Sequence, residues 1–177
     1  MSPTLLHVKC GLAALALACG AAVAAPVPSQ EQAEINRLVA AGQPAEALAR
    51  VERLLAQQPR DPQLRFQKGV LLAEMQRRAD AIAVFTQLTV DYPEIPEPYN
   101  NLAVLYAAAG EYDKARANLD AAIRANPNYA VAHQNLGDVY AQLARLSYSK
   151  ALQLEPSNAA VPPKLALLRE IIKPVTP

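Results

Sequence analysis

Small and apolar residues recur along this chain with a period of 34 residues. Two independent markers share the period, a proline and an alanine. They stand at Pro59, Pro93 and Pro127, and at Ala47, Ala81 and Ala115. Apolar side chains follow each marker alanine after four and after seven positions, which is the spacing of one helix face. These side chains are Val51, Phe85 and Leu119, then Leu54, Leu88 and Ala122. The pattern therefore predicts a repeated amphipathic helix that ends before each marker proline.

Glycines divide each period into two helices. Gly42 and Gly110 precede the marker helices, and glycine tolerates the left-handed conformation that ends a helix. Gln76 takes the equivalent position in the period between them. Gly69 and Gly137 fall inside the preceding helices, where we expect a small residue to let two backbones approach closely.

The periodic unit resembles the tetratricopeptide repeat (TPR) family, whose unit is a pair of antiparallel helices. The best match runs from Pro96 to Asn128. Its marked positions hold Tyr99, Leu102, Ala103, Tyr106, Gly110, Tyr112, Ala115, Leu119, Ala122 and Pro127. The resemblance covers residues 28 to 156 and implies an all-α fold, an α-solenoid of antiparallel helix pairs with about three and a half repeats and a C-terminal capping helix. The repeats it implies are 28–61, 62–95, 96–129 and a shortened 130–158.

The fourth unit lacks five residues between its two halves. Its closing proline, Pro156, follows Pro127 by 29 positions instead of 34. No room remains for a turn, and the segment from Gln142 to Leu146 contains neither glycine nor proline. We therefore predict one continuous helix over residues of about 131–154.

A continuous helix cannot fold its second half back onto its first. Leu146, Leu152 and Leu154 then need another partner, and residues 163–173 supply a candidate. This segment reads as a short amphipathic helix with its apolar side chains at Leu165, Leu168, Ile171 and Ile172. We expect it to cap the repeat array, because an open end exposes core. A homodimer through the C-terminal helices is the alternative way to cover that surface.

Residues 1–24 have the order of a secretory signal. His7 and Lys9 precede an apolar run over 10–18, and small residues follow. The run is shorter than the roughly 20 residues that a membrane-spanning helix needs. We expect cleavage after Ala24, a repeat domain over 25–173, a tail at 174–177, no membrane span, and a periplasmic or secreted protein.

The run that ends at Cys19 also resembles a loose bacterial lipobox. In that alternative, Cys19 becomes the acylated first residue of an outer-membrane lipoprotein. The soluble exported form and the lipid-anchored form both stay open at this point.

Charge and chemistry exclude several classes of function. The chain has 17 Lys+Arg against 16 Asp+Glu and a formal net charge of +1, which gives no field to attract nucleic acid. Removing residues 1–24 takes away Lys9 and both cysteines. His133 is then the only histidine, and we expect it to pack rather than catalyse. The sequence thus predicts no cofactor, no metal site and no enzymatic activity.

The resemblance also implies where a ligand would bind. In the family the first helix of each pair lines the concave side, which places Gln67, Asn101 and Asn135 on equivalent inward positions. Amides donate and accept, so this amide ladder could hold the main chain of an extended peptide. The predicted groove residues are Asn36, Gln67, Val70, Asn100, Asn101, Val104, Gln134, Asn135 and Asp138. The alternative is that these side chains are merely solvated.

A family subtype grips the acidic carboxyl terminus of cytosolic chaperones with a clamp of lysine, asparagine and arginine. This chain keeps Asn36 and Asn101 but has Gln32, Glu97 and Asn135 where the clamp cations belong. We therefore expect no carboxylate clamp.

Two functions fit the sequence. The first is a non-enzymatic periplasmic adaptor that binds an extended segment of another envelope protein in its concave groove. The second is a lipoprotein, anchored through Cys19, that serves as a structural component of an envelope complex.

Overall fold

The computed structural model describes residues 29–172, and these residues form eight α-helices and no strand. The helices are α1 Ser29–Ala40, α2 Pro44–Gln57, α3 Pro62–Glu74, α4 Arg78–Asp91, α5 Pro96–Ala108, α6 Tyr112–Ala125, α7 Ala130–Leu154 and α8 Val161–Ile172. The all-α fold of helix pairs is the α-solenoid class that the repeat predicts. The predicted signal at 1–24, Cys19 within it and the tail at 174–177 lie outside the described residues.

The chain divides after Pro93 into two compact units. In the N-terminal unit, α1 packs on α2, α2 on α3, and α3 on α4. The apolar residues predicted for one face of the second helices are all buried there. They are Ala47, Val51, Leu54, Ala81, Phe85 and Leu88. Ile35, Leu64 and Leu72 on the first helices are buried as well, so the core lies between the two helices of each pair.

Three turns between paired helices contain a residue with left-handed backbone. The φ angles are 70° at Gly42, 61° at Gln76 and 77° at Gly110. The next residue closes each turn with a backbone hydrogen bond of 2.9 Å, from Gln43 to Leu38, from Arg77 to Leu72 and from Glu111 to Tyr106. This bond is the Schellman closure of a helix end, and the predicted turn positions are confirmed. Gln76 adopts a conformation that costs a residue with a Cβ about 1 kcal/mol.

Gly69 lies where α3 meets α4. A Cβ added at Gly69 would be 2.6 Å from Cε1 of Phe85, so only glycine fits against the ring in its present position. The expected close approach at Gly69 is confirmed. The same expectation for Gly137 is wrong, because Gly137 is exposed and an added Cβ would meet nothing within 4 Å.

The C-terminal unit is built on the pair α5 and α6, and α7 packs on α6. Its core contains Ala103 of α5, three residues of α6 and two of α7. The last five are Ala115, Leu119, Ala122, Ala132 and Val139. Tyr99, Tyr106 and Leu136 pack around these small residues. Larger neighbouring side chains thus fill the space around the small marker residues, as in a close-packed interior.

The predicted continuous helix is confirmed, since α7 runs for 25 residues from Ala130 to Leu154 without a turn. A shortened fourth unit has no second helix that could fold back over the first half of α7. This absence is the physical reason why Gly137 has no close neighbour.

The capping segment α8 packs on α7. It begins at Val161, two residues before the predicted start, and Lys164 Nζ lies 5.1 Å from the centre of the Tyr148 ring. The cover that α8 provides is incomplete. Leu152 is half-buried, but Leu146 is exposed and Leu154 is 73% exposed, so the expectation that these leucines are covered is wrong for both.

None of the helices among residues 29–172 combines the length and the apolar character that crossing a bilayer requires.

The two glycines allow a matched test of the packing. Gly69→Ala should lower the free energy of unfolding by about 1–3 kcal/mol, because its Cβ overlaps Phe85. Gly137→Ala should raise it by about 0.5–1 kcal/mol, because alanine is the better helix former and meets no neighbour. Urea denaturation of both variants measures the difference, and a similar effect of the two substitutions would contradict the close approach at Gly69.

Candidate functional site

In the N-terminal unit, three of the predicted groove residues lie on the first helices α1 and α3. Asn36 is exposed, and its Oδ1 accepts a hydrogen bond of 3.0 Å from Gln32 Nε2 on the same helix. Gln67 and Val70 are half-buried on α3. Gln67 Oε1 is buried and has no hydrogen-bond partner among the described residues. The Gln67 acceptor is thus unpaired but buried, whereas the exposed Oδ1 of Asn36 can accept a second hydrogen bond.

In the C-terminal unit, the other six predicted residues lie on α5 and α7. Both helices are antiparallel to α6, so they run in the same direction and contact each other. We use the name α5–α7 surface for the polar and apolar side chains that these two helices present together. Its members are Glu97, Asn100, Asn101, Val104, Gln134, Asn135 and Asp138.

A hydrogen bond between two asparagines joins α5 to α7. Asn135 Nδ2 donates to Asn100 Oδ1 at 2.8 Å. Asn100 is only 6% exposed and is the one polar residue in the buried core of the described chain. Buried polar groups are hydrogen-bonded in native proteins because an unpaired one costs free energy. The asparagine pair therefore fixes the register of the two first helices.

Asn101 does not take part in this pair. Its Nδ2 donates to the main-chain oxygen of Glu97, one turn earlier on α5, at 2.9 Å. Asn101 and Asn135 share a repeat position, but the hydrogen bond between α5 and α7 is made by Asn100 and not by Asn101; the inward-facing amide ladder stays a prediction. Asn100 is rotated about 100° around the helix axis from Asn101, and that rotation turns Asn100 towards α7.

Two carboxylates flank the asparagine pair. Glu97 lies three residues before Asn100, and its Oε2 is buried without a hydrogen-bond partner among the described residues. Asp138 lies three residues after Asn135 and is half-buried. Burial raises the pKa of the Asp138 carboxyl above its ordinary value. The sequence analysis considered Glu97 only because it stands where the clamp subtype has a cation. Nothing in the sequence indicates that one of its carboxylate oxygens is buried.

The remaining members of the surface are accessible to a ligand. Val104 is half-buried on α5, and Gln134 is exposed on α7. Together with Asn101 they provide amide donors, amide acceptors and one apolar contact. This combination can hold the main chain of an extended segment and one of its apolar side chains.

His133 lies next to the surface but does not pack as expected. It is exposed, and its Nε2 is 2.9 Å from the main-chain oxygen of Pro127 in the loop before α7. The expected packing role is therefore wrong, and the ring instead holds the loop to the helix. No three His, Cys, Asp or Glu side chains within residues 29–172 lie together in a way that could hold a metal ion.

Comparison with known proteins identifies the repeat. A family model described as tetratricopeptide repeat matches residues 33–96, 66–130 and 100–159. Solved structures match over much of the chain. A thermophilic TPR protein of Thermus thermophilus is 26% identical, with 81% of each chain covered and a TM-score of 0.60.

Two further structures are relevant. YrrB, described as a TPR protein with an unusual peptide-binding site, is 30% identical over 56% of this chain and 52% of its own, with a TM-score of 0.53. The first TPR of Spaghetti (RPAP3), bound to the HSP90 peptide SRMEEVD, is 16% identical over 65% of this chain and 91% of its own, with a TM-score of 0.59. The similarity to Spaghetti shows the fold alone.

Substitution of two asparagines of the α5–α7 surface distinguishes an amide that holds the helices together from one that is accessible to a ligand. Asn135→Ala should lower the free energy of unfolding by about 1–3 kcal/mol, because it leaves Asn100 Oδ1 buried without a donor. Asn101→Ala should change it by no more than about 0.5 kcal/mol, since only a bond within α5 is lost. Urea denaturation measures both, and an unchanged stability of the Asn135 variant would show that the pair does not hold α5 to α7.

Proposed function

Because the chain belongs to the tetratricopeptide repeat family, we propose that it is a non-enzymatic adaptor that binds an extended peptide segment of another protein through the α5–α7 surface. Proteins built of these repeats are generally scaffolds rather than enzymes. The family therefore supports binding as the activity, and the surface determines what is bound.

The observation that carries the proposal is the set of unused polar groups on the first helices. Gln134 is exposed and Asp138 is half-buried, and neither side chain forms a hydrogen bond with another described residue. Main-chain N–H and C=O groups of an extended segment supply the matching donors and acceptors. Val104, one turn after Asn101 on α5, offers an apolar contact. YrrB, at 30% identity, is described by its peptide-binding site, which supports the same use here.

The order of basic, apolar and small residues over 1–24 supports export of the protein. We propose that the adaptor acts in the periplasm on a segment of an envelope protein. A lipid-anchored form through Cys19 is the alternative, and an intact mass of the exported protein distinguishes a diacylglyceryl group on that cysteine from cleavage after Ala24.

A photo-crosslinking amino acid tests the surface directly. Placed at Val104, it should form covalent adducts with peptide segments of envelope proteins in an envelope extract, with an affinity on the order of micromolar. The matched control is the same amino acid at Ala117, an exposed position on the second helix α6. Circular dichroism of both variants checks the fold. Adducts at position 117 and none at 104 would contradict binding through the α5–α7 surface.

A second observation concerns self-association. Large apolar side chains that are exposed in the described part of the chain concentrate on α7 and α8. They are Val131, Tyr140, Leu146, Leu154, Leu167 and Ile171. Leu154, Leu167 and Ile171 lie at the end of α7 and on α8, which pack on each other, and exposed apolar side chains that gather in one region mark protein interaction sites. We propose that a second copy of the chain covers the end of α7 and α8, which makes the protein a homodimer.

Light scattering over a range of concentrations measures the mass of the assembly. The protein should shift from monomer to dimer as its concentration rises, and Leu154→Ser combined with Leu167→Ser should keep it monomeric. The matched control is Val90→Ser, which removes an exposed apolar side chain of the N-terminal unit and should leave the dimer intact. A monomer mass at every concentration would exclude the dimer.

A further inference from the structure

The α5–α7 surface carries negative charge without positive charge. Neither α5 nor the segment 130–144 of α7 contains a lysine or an arginine. Their charged residues are Glu97 and Asp138, and no described residue forms an ion pair or a hydrogen bond with the Asp138 carboxylate. The nearest cation further along α7 is Arg145, about two helical turns beyond Asp138, and its Nε donates to Gln142 Oε1 at 3.1 Å.

The first helices of the N-terminal unit show that such charges are otherwise paired. Five of the six charged residues on α1 and α3 are in ion pairs, and the exception is Glu74 at the end of α3. The pairs are Glu31 with Arg50 at 2.7 Å, Glu34 with Arg37 at 2.7 Å, Arg65 with Asp91 at 2.6 Å and Lys68 with Glu52 at 2.8 Å. Ion pairing is thus the rule for the charged residues of α1 and α3, with Glu74 as the exception, whereas neither acid of the α5–α7 surface is in an ion pair with a described residue.

Without a partner, the two partly buried acids cost free energy of folding. A carboxylate oxygen that is buried and accepts no hydrogen bond loses hydration without compensation, which is the situation of Glu97 Oε2. Burial also raises the pKa of the Asp138 carboxyl, because its charged form loses hydration. A cationic group from a ligand would offset this cost at both positions.

The asparagine pair fixes the distance between the two acids. The bond from Asn135 to Asn100 sets the register of two helices that run in the same direction. Glu97 lies one turn before that bond and Asp138 one turn after it, so they are about 9 Å apart along the axis. The separation of packed helices adds about 9 Å across. The two components are perpendicular, so the backbone positions of the two acids are about 13 Å apart. This is the length of about four residues of extended chain, in which side chains four positions apart point to the same side.

We propose that the α5–α7 surface selects an extended peptide with two basic side chains four residues apart, one bound by Glu97 and the other by Asp138. The proposal rests on the proposed function and specifies the partner for it. The polarity is opposite to that of a clamp for acidic carboxyl termini.

Fluorescence anisotropy with labelled, end-capped dodecapeptides tests the proposal on the full chain. In an alanine, serine and valine background, one peptide has lysine at its fourth and eighth positions. Matched peptides have glutamine or glutamate at the same two positions, and another has lysine at the fourth and fifth positions. The peptide with lysines four apart should bind at least tenfold more tightly than the glutamine peptide and at least threefold more tightly than the adjacent-lysine peptide. The glutamate peptide should show no binding.

Substitution of each acid tests whether its charge contributes to binding of the lysine side chains. Glu97→Gln and Asp138→Asn should each weaken binding of the peptide with lysines four apart by threefold to tenfold, and leave the glutamine peptide unchanged. Asp113→Asn is the matched control, because this acid lies on α6, is 80% exposed and pairs with Arg116. A thermal melt of each variant shows that any loss of binding is not unfolding.

The outcomes separate the two proposals. Equal binding of the lysine and glutamine peptides, or unchanged lysine-peptide binding in both acid variants, would overturn the charge selection and leave peptide binding in place. Equal binding of the two lysine peptides would overturn the proposed spacing. Failure of all four peptides to bind would count against the α5–α7 surface as a peptide site.

Discussion

Helix pairing in this protein depends on small residues that are buried between the paired helices. Ala47, Ala81 and Ala115 are fully buried and recur every 34 residues. At Gly69 the constraint is tightest, because the Phe85 ring occupies the space that any larger side chain would need. Interiors are packed to the density of organic crystals, so the size of the residue opposite each small one is constrained as well. The turn and the proline stop then follow at a fixed distance along the chain.

The same constraint explains the irregular end of the chain. With five residues missing, α7 continues through the place where a turn would return it, and Gly137 has no helix to approach. α8 packs beside Tyr148 instead. Leu154 and Ile171 then remain exposed, because one short helix covers less surface than a full second helix followed by a further repeat. Solenoid repeats contact only their neighbours, so such a deletion changes the end without changing the other pairs.

Local patterns predicted the fold because each repeat specifies its own helices. The turn at Gln76 could be placed without a glycine, since its neighbours in the period fixed it. The site was less predictable. Asn101 and Asn135 share a repeat position, but Asn100 forms the bond to Asn135, because a rotation of about 100° per residue decides which side chain meets the next helix. The burial of Glu97 Oε2 depends on packing that no spacing in the sequence describes.

The charge of the α5–α7 surface follows from how α6 pairs its own residues. In the N-terminal unit, Arg50 of α2 reaches Glu31 on α1, so a second helix supplies the counter-charge of a first helix. At the start of α6 the cations pair locally, Lys114 with Glu111 and Arg116 with Asp113, each three residues apart, whereas Arg124 is exposed in the last turn. Lys114 also lies over the Tyr106 ring. Since these cations are held by partners at the start of α6, the acids of α5 and α7 keep their charge for a ligand.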